Sequence, residues 1–67
     1  MILVNGNEWE WGGGEPVVAV LEHLELSPQA RGVAVAIDGE VVPRSGWETF
    51  AIPEGARVEV LTAMQGG

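Results

Sequence analysis

Apolar and polar positions alternate at both ends of the chain and follow a helical spacing between them. The apolar run at residues 2–4 ends at Asn5-Gly6, a dipeptide that favours a two-residue hairpin turn. The return segment, residues 7–11, alternates polar side chains with Trp9 and Trp11. The pattern predicts an antiparallel hairpin with both tryptophans on one face of the pleat.

The apolar spacing becomes helical after Pro16, which suits a first helical turn because its missing N–H has no partner there. The positions i, i+3, i+4 and i+7 are occupied by Val17, Val20, Leu21 and Leu24. Ser27-Pro28 is expected to end the helix, since the residue before proline is disfavoured in the α conformation. His23 lies off the apolar stripe and is expected to be a solvent-exposed helix residue.

Further strand signals follow the helix. Residues 33–37 alternate large and small apolar side chains, and Asp38-Gly39 predicts a second hairpin turn with a return strand at residues 40–42. The less regular stretch 44–53 is expected to hold a short helical turn and a minor strand. Residues 57–62 alternate again and predict the last strand.

This order of elements predicts an α+β fold, in which one main helix packs on one face of a mixed sheet of four to five strands. Pairing the first and last strands at the sheet centre, with the hairpins outside, gives the ubiquitin-like β-grasp arrangement. Residues 1–62 are expected to form this domain, and residues 63–67 a flexible C-terminal tail. The predicted core consists of Ile2, Val4, Val17, Val20, Leu21, Leu24, Val33, Val35, Ile37, Val41, Phe50, Ile52, Val58 and Val60.

Length and composition limit the classes of function. A chain of 67 residues buries only about 60% of its unfolded surface, which leaves no depth for an enclosed catalytic cleft, so an autonomous enzyme is not expected. The chain has no cysteine and one histidine, so no metal site is expected. Ten acidic residues against three arginines disfavour nucleic acid as a partner and favour a protein with a basic surface.

The apolar run at the N-terminus is too short for a secretory signal and lacks a preceding basic segment. No stretch approaches the roughly 20 apolar residues of a membrane span. The chain is therefore expected to be cytoplasmic and to act without a membrane.

The closing dipeptide Gly66-Gly67 is the strongest candidate for chemistry. A terminus without side chains can enter a narrow channel in another protein, and an ionised α-carboxylate can attack the α-phosphate of ATP to give an acyl-adenylate. Gly66 would supply clearance, while Gln65 and Met64 would set the reach from the last strand. A frayed and inert chain end is the alternative.

Three tryptophans are more than a core of this size readily encloses. At least one is therefore expected to be partly exposed as an anchor at a partner interface. Trp47 is favoured for this role, and packing beneath a loop is the equal alternative.

These features together resemble the sulfur carrier proteins of thiamine biosynthesis, the ThiS family of the ubiquitin-like β-grasp superfamily. The resemblance runs from Asn5-Gly6 through residues 32–44, with the Gly-Glu-Val-Val-Pro-Arg stretch as its most specific part, to Gly66-Gly67. The sequence departs from the usual family pattern at Ala56, where aspartate is common, and at Asp38, where asparagine is common.

The resemblance implies that an E1-like enzyme uses ATP to adenylate the terminal carboxylate. A cysteine desulfurase or another sulfur donor would then supply the sulfur of a thiocarboxylate at Gly67, and thiazole synthase would receive it. The chain would be a co-substrate rather than an enzyme, and ATP would be bound by the partner and not by the chain. The open alternatives are a carrier for tRNA thiolation or molybdopterin synthesis, a β-grasp binding module with an inert terminus, and a small enzyme subunit.

Overall fold

The computed structural model describes residues 1–63. In this part of the chain there are one α-helix, five strands and a 3₁₀ turn at Arg44–Gly46. The elements in chain order are β1 (Ile2–Val4), β2 (Asn7–Trp9), α1 (Val17–His23), β3 (Val33–Ile37), β4 (Glu40–Val42) and β5 (Arg57–Thr62). The predicted second strand is therefore two residues too long, and the predicted minor strand is a single bridge between Pro16 and Ala51.

The five strands form one mixed sheet in the order β2-β1-β5-β3-β4. β1 runs parallel to β5, and the other neighbouring pairs are antiparallel. The first and last strands of the chain thus lie side by side near the sheet centre, with one hairpin on each side of β5. This arrangement confirms the predicted mixed sheet with one main helix on one face.

The helix covers one face of the sheet and closes the core. Its apolar stripe is fully buried at Val17, Val20 and Leu21, as the spacing predicts. On β5 the alternation of Val58 and Val60 points both side chains into the same core. The predicted core members Leu24 and Val33 are half-buried and pack against its margin.

The core prediction is wrong at Val41, which is 74% exposed, while Val42 is buried. The two-residue turn at Asp38-Gly39 fixes the register so that Val42 lies opposite the buried Val35. Because cross-strand partners share a face, Val41 must point to the other side of the sheet.

Phe50 is also wrongly predicted as core, because its side chain is 39% exposed. The aromatic ring beneath β4 belongs to Trp47, which is 3% exposed and donates its indole N–H to the Val42 carbonyl at 2.9 Å. Ala56 completes the buried set.

The helix ends earlier than Ser27-Pro28 predicts. Its last residue is His23, and Glu25 takes a left-handed conformation with φ of 62°. The Glu25 N–H donates to the Glu22 carbonyl, and the Leu26 N–H donates to the Leu21 carbonyl at 2.8 Å. This is the Schellman pattern, which satisfies the terminal carbonyls and turns the chain before the proline.

No helix within residues 1–63 has the length and apolar character needed to cross a bilayer.

Candidate functional site

The described chain ends just after β5, at the centre of the sheet. Ala63 is the last described residue, and Met64, Gln65, Gly66 and Gly67 follow it in sequence. Of the predicted tail, residues 63–67, only Ala63 is described; residues 64–67, with the proposed reactive terminus, lie outside the described residues. What the structure does provide is the body from which these residues continue, and the contacts that hold β5 in place.

The side chain of Asn5 fixes the C-terminal half of β5. Its Nδ2 group donates to the Val60 carbonyl at 3.2 Å, and its Oδ1 accepts the Val60 N–H at 2.8 Å. The Asn5 backbone N–H donates to the Val58 carbonyl at 2.9 Å. The amide therefore acts as one more residue of β1, and it continues the parallel pairing after the backbone has turned away.

Asp38 fixes the start of β5 from the other side. Its Oδ1 accepts the Arg57 N–H at 2.9 Å, and its own backbone N–H donates to the Arg57 carbonyl at 2.8 Å. The carboxylate at this turn therefore accepts a hydrogen bond from β5, so the aspartate at position 38 is compatible with the turn.

A close contact with Gly32 holds the end of the described chain. The Ala63 N–H donates to the Gly32 carbonyl at 2.7 Å. A Cβ at position 32 would lie 3.0 Å from the Ala63 Cβ, and Gly32 has φ of 77°. Both observations require glycine here. The chain is thus held to the sheet up to the residue before Met64.

The sheet face opposite the helix is open and partly apolar. Leu61 is 66% exposed and lies opposite Ala34, and Val41 lies opposite Ala36. Ala34 and Ala36 are alternate residues of β3, so the four side chains form one continuous patch across β5, β3 and β4. We call these four residues the open-face patch. Its member Leu61 lies on β5, the strand that leads to residues 64–67.

Trp47 does not offer a surface to a partner. With 3% of its area exposed and its indole N–H bonded to the Val42 carbonyl, it is a core residue. Packing beneath a loop, the alternative given by the sequence, describes it correctly. The Arg44 guanidinium stacks on its ring at 4.6 Å from the centroid.

The partly exposed tryptophans are Trp9 and Trp11, and they contact His23. The exposure of His23 agrees with its position off the helical stripe, but its ring contacts were not foreseen. Part of this contact could be predicted from the sequence, because alternation places Trp9 and Trp11 on the face of the hairpin that the helix covers.

The role of Asn5 was also missed, since Asn-Gly was interpreted as a turn alone. The distinguishing signal is chemical, because among the residues that favour this hairpin turn, Asn, Asp and Gly, only the asparagine side chain can both donate and accept. Within residues 1–63, no group of three or more His, Asp or Glu side chains is placed to hold a metal ion.

One helix across a five-stranded mixed sheet, with parallel first and last strands at its centre, defines a ubiquitin-like β-grasp protein. The crystal structure of the thiamine biosynthesis protein ThiS from Geobacter metallireducens superimposes with a TM-score of 0.73 at 34% identity, covering 98% of this chain and 97% of that one. The ThiS family profile matches residues 2–67. The chain belongs to the ThiS family.

Two relatives extend this comparison. The sulfur carrier protein ThiS of Escherichia coli is 29% identical over 66 residues, which cover 98% of this chain and 97% of the relative. The thiazole synthase of Paramagnetospirillum magneticum is 32% identical over 66 residues, which again cover 98% of this chain. The chain spans only 20% of the length of that second relative.

Proposed function

We propose that this chain is a sulfur carrier that donates sulfur for thiazole formation in thiamine biosynthesis. The observation that carries the proposal is a ThiS family match that continues to Gly67. A relative of nearly equal length, from Escherichia coli, is a sulfur carrier protein. In this proposal the chain is a co-substrate that partner enzymes modify, and it is not itself an enzyme.

The reactive group is the α-carboxylate of Gly67, which is ionised at neutral pH and needs no general base. One carboxylate oxygen attacks the α-phosphorus of ATP, and the bond from that phosphorus to the bridging oxygen breaks with release of pyrophosphate. Hydrosulfide then adds to the activated carbonyl, AMP leaves, and loss of a proton gives the thiocarboxylate. An E1-like partner supplies the groups that bind and orient ATP.

The residues before Gly67 set how far the reacting carboxylate extends from the sheet. Four residues follow Ala63, so an extended tail reaches at most roughly 14 Å. Gly66 has no side chain beside the reacting group, which suits a narrow channel. Gln65 and Met64 occupy the part of the channel nearest the sheet.

The open-face patch supports recognition by these partners. Leu61 and Val41 are large, exposed apolar side chains on the same face of the sheet, and Leu61 lies on β5, the strand that continues into the tail. A partner that covers this patch also receives the terminus. Acidic residues around it would steer a basic partner surface toward it.

Thiazole synthase is the proposed acceptor. A protein named thiazole synthase contains a 66-residue segment similar to this chain, within one fifth of its length. Two functions that share one polypeptide in a relative are reasonable partners when they occur as separate chains. A cysteine desulfurase or another donor would supply the sulfur, and the cytoplasm, where ATP is abundant, is the proposed compartment.

The adenylation step is tested by ATP–pyrophosphate exchange with the E1-like enzyme of the same organism. We expect incorporation of labelled pyrophosphate into ATP only when the full chain is present, because exchange requires reversible formation of the acyl-adenylate. Deletion of Gly67 should abolish exchange and leave the thermal midpoint unchanged. A Glu48→Gln variant, altered at an exposed position after Trp47 and outside the sheet, is the matched control and should exchange normally.

Exchange that is equally fast with the Gly67 deletion would contradict the proposal. So would a deletion that unfolds the domain, because the terminus would then be structural. Tight binding of the full chain without any exchange would support an inert β-grasp binding module instead.

A further inference from the structure

Three aromatic rings meet at the first hairpin and the end of the helix, away from the open-face patch. The Trp9 and Trp11 ring centroids are 5.0 Å apart, and the His23 ring lies 4.8 Å from Trp9 and 5.6 Å from Trp11. Each ring therefore contacts the other two. We call these three residues the aromatic cluster.

The aromatic cluster buries only part of its surface against the core. Trp9 and Trp11 pack against the core margin but remain half-exposed, and His23 is exposed. Trp47, by contrast, is buried with its indole N–H bonded. Two adjacent, half-exposed tryptophans on a domain of this size are typical of an interface anchor.

The charges around the cluster are negative. Glu22 and Glu25 flank His23 in the chain and Glu10 lies between the two tryptophans; all three are exposed, and alternation directs Glu10 to the other face of the hairpin. Within residues 1–63, the ion pair present joins the Met1 amino group to Glu54 at 3.9 Å and involves none of these three acids. The cluster therefore combines accessible ring surface with uncompensated negative charge.

The domain already contains one example of the contact that such a surface favours. The Arg44 guanidinium stacks on the Trp47 ring, and it donates to the carbonyls of Pro28 and Ala30. These contacts keep Arg44 occupied at Trp47. Within residues 1–63 neither Arg31 nor Arg57 stacks on a tryptophan, so a cation for the aromatic cluster is expected from another molecule.

We infer that the aromatic cluster is a second docking surface, and that it binds an arginine-bearing basic segment of a partner protein. A guanidinium can stack on an indole face while the neighbouring glutamates pair with its charge. A second copy of this chain is disfavoured as the occupant, because each copy has a net charge of -7. This surface is separate from the Gly67 chemistry, so the carrier can be held at one site while its terminus is used at another.

The test is a titration of the full chain with a blocked Gly-Arg-Gly-Arg-Gly peptide, followed by NMR of the indole N–H signals. We expect the Trp9 and Trp11 signals to shift and the Trp47 signal to stay, since Trp47 is buried. The same peptide with citrulline in place of arginine should cause no shift. Trp9→Leu and Trp11→Leu should each weaken binding about two- to fivefold.

Charge-matched variants keep the test valid if a tryptophan variant fails to fold. The double variant Glu22→Gln and Glu25→Gln leaves the rings in place and should weaken peptide binding. The double variant Glu40→Gln and Glu59→Gln changes the net charge equally, elsewhere on the sheet, and should bind like the parent. The Trp47 signal reports whether each variant is folded.

Three results would overturn the inference. One is equal binding by the two glutamate double variants, which would mean that peptide binding depends only on the net charge of the chain. Another is equal binding of the arginine and citrulline peptides. The third is concentration-dependent self-association in sedimentation that Trp9→Leu abolishes, because the occupant would then be a second copy.

Discussion

The two hairpins of this domain share one turn geometry and use it in different ways. Asn5 and Asp38 have φ of 50° and 51°, and the glycines that follow them have φ of 84° and 87°. Both first turn residues then bond to β5, which lies between the hairpins. The backbone geometry is therefore equivalent, and only the side-chain chemistry differs.

The two side chains differ because the backbone N–H groups of Asn5 and Asp38 bond to different carbonyls of β5. At the second hairpin the Asp38 N–H already bonds the Arg57 carbonyl, so the side chain needs only to accept the Arg57 N–H. At the first hairpin the Asn5 N–H bonds the Val58 carbonyl, so the side chain must satisfy both groups of Val60. The Asp38 carboxylate is therefore sufficient at the second hairpin, whereas the first hairpin requires the Asn5 amide, which both donates and accepts.

The two hairpins also differ in how deeply their tryptophans are buried. The second hairpin rests on buried Trp47, whereas the first presents half-exposed Trp9. Trp47→Ala is therefore expected to cost about 3–5 kcal/mol in the free energy of unfolding. For a domain of this length the total is roughly 3–10 kcal/mol, so this variant is at or near complete unfolding.

Urea denaturation of Trp47→Ala, Trp47→Phe and Trp9→Ala checks this difference. Trp47→Phe keeps most of the aromatic volume but removes the indole hydrogen bond to the Val42 carbonyl, and we expect a loss of about 0.5–1.5 kcal/mol. Trp9→Ala should cost about 1–2 kcal/mol. Equal losses for Trp47→Ala and Trp9→Ala would mean that both hairpins depend on their tryptophans alike.

Exchanging the two turn side chains tests the hydrogen-bond account, and the larger effect is expected at Asn5. Asn5→Asp keeps the acceptor for the Val60 N–H but removes the donor to the Val60 carbonyl. We expect a loss of about 1–2 kcal/mol, measured as a lower urea midpoint at constant slope. Faster hydrogen exchange at the Val60 amide would place the effect at β5. An unchanged midpoint would show that the Asn5 amide contributes only to the turn.

The reciprocal variant, Asp38→Asn, is expected to have the smallest effect. The amide oxygen still accepts the Arg57 N–H, and the turn conformation suits asparagine equally well. We expect a change within about 0.5 kcal/mol in the free energy of unfolding. A loss as large as that of Asn5→Asp would remove the asymmetry between the hairpins.

Much of the fold follows from local signals in the sequence. The turn dipeptides, the helical spacing and the alternation in β5 predicted the five strands and the helix in their order, because each signal depends on neighbouring residues; only the end of β2 and the minor strand within 44–53 were wrong. The errors at Val41 and Phe50 have a different origin. Both depend on which side chain fills the space under β4, and that is decided by register and by Trp47, a residue outside the strand.

For the candidate site, the sequence indicated the terminal residues but not the long-range contacts around β5. The sequence drew attention to Gly66 and Gly67 through composition and family resemblance, and these residues lie outside the described chain. The contacts of Asn5 with Val60 join residues 55 positions apart. No local pattern specifies such a pair. The same is true of His23 and the tryptophans, which only the packing of the helix on the first hairpin brings together.

The central claim is that Gly67 carries sulfur, and intact-mass spectrometry tests it most directly. The full chain is incubated with the E1-like enzyme, ATP and hydrosulfide, and fragmentation then locates any change. The account predicts a mass gain equal to replacement of one oxygen by sulfur, located at Gly67 and absent when that residue is deleted. An unchanged mass, with an enzyme that adenylates the chain, would contradict the account, as would sulfur located at any other residue.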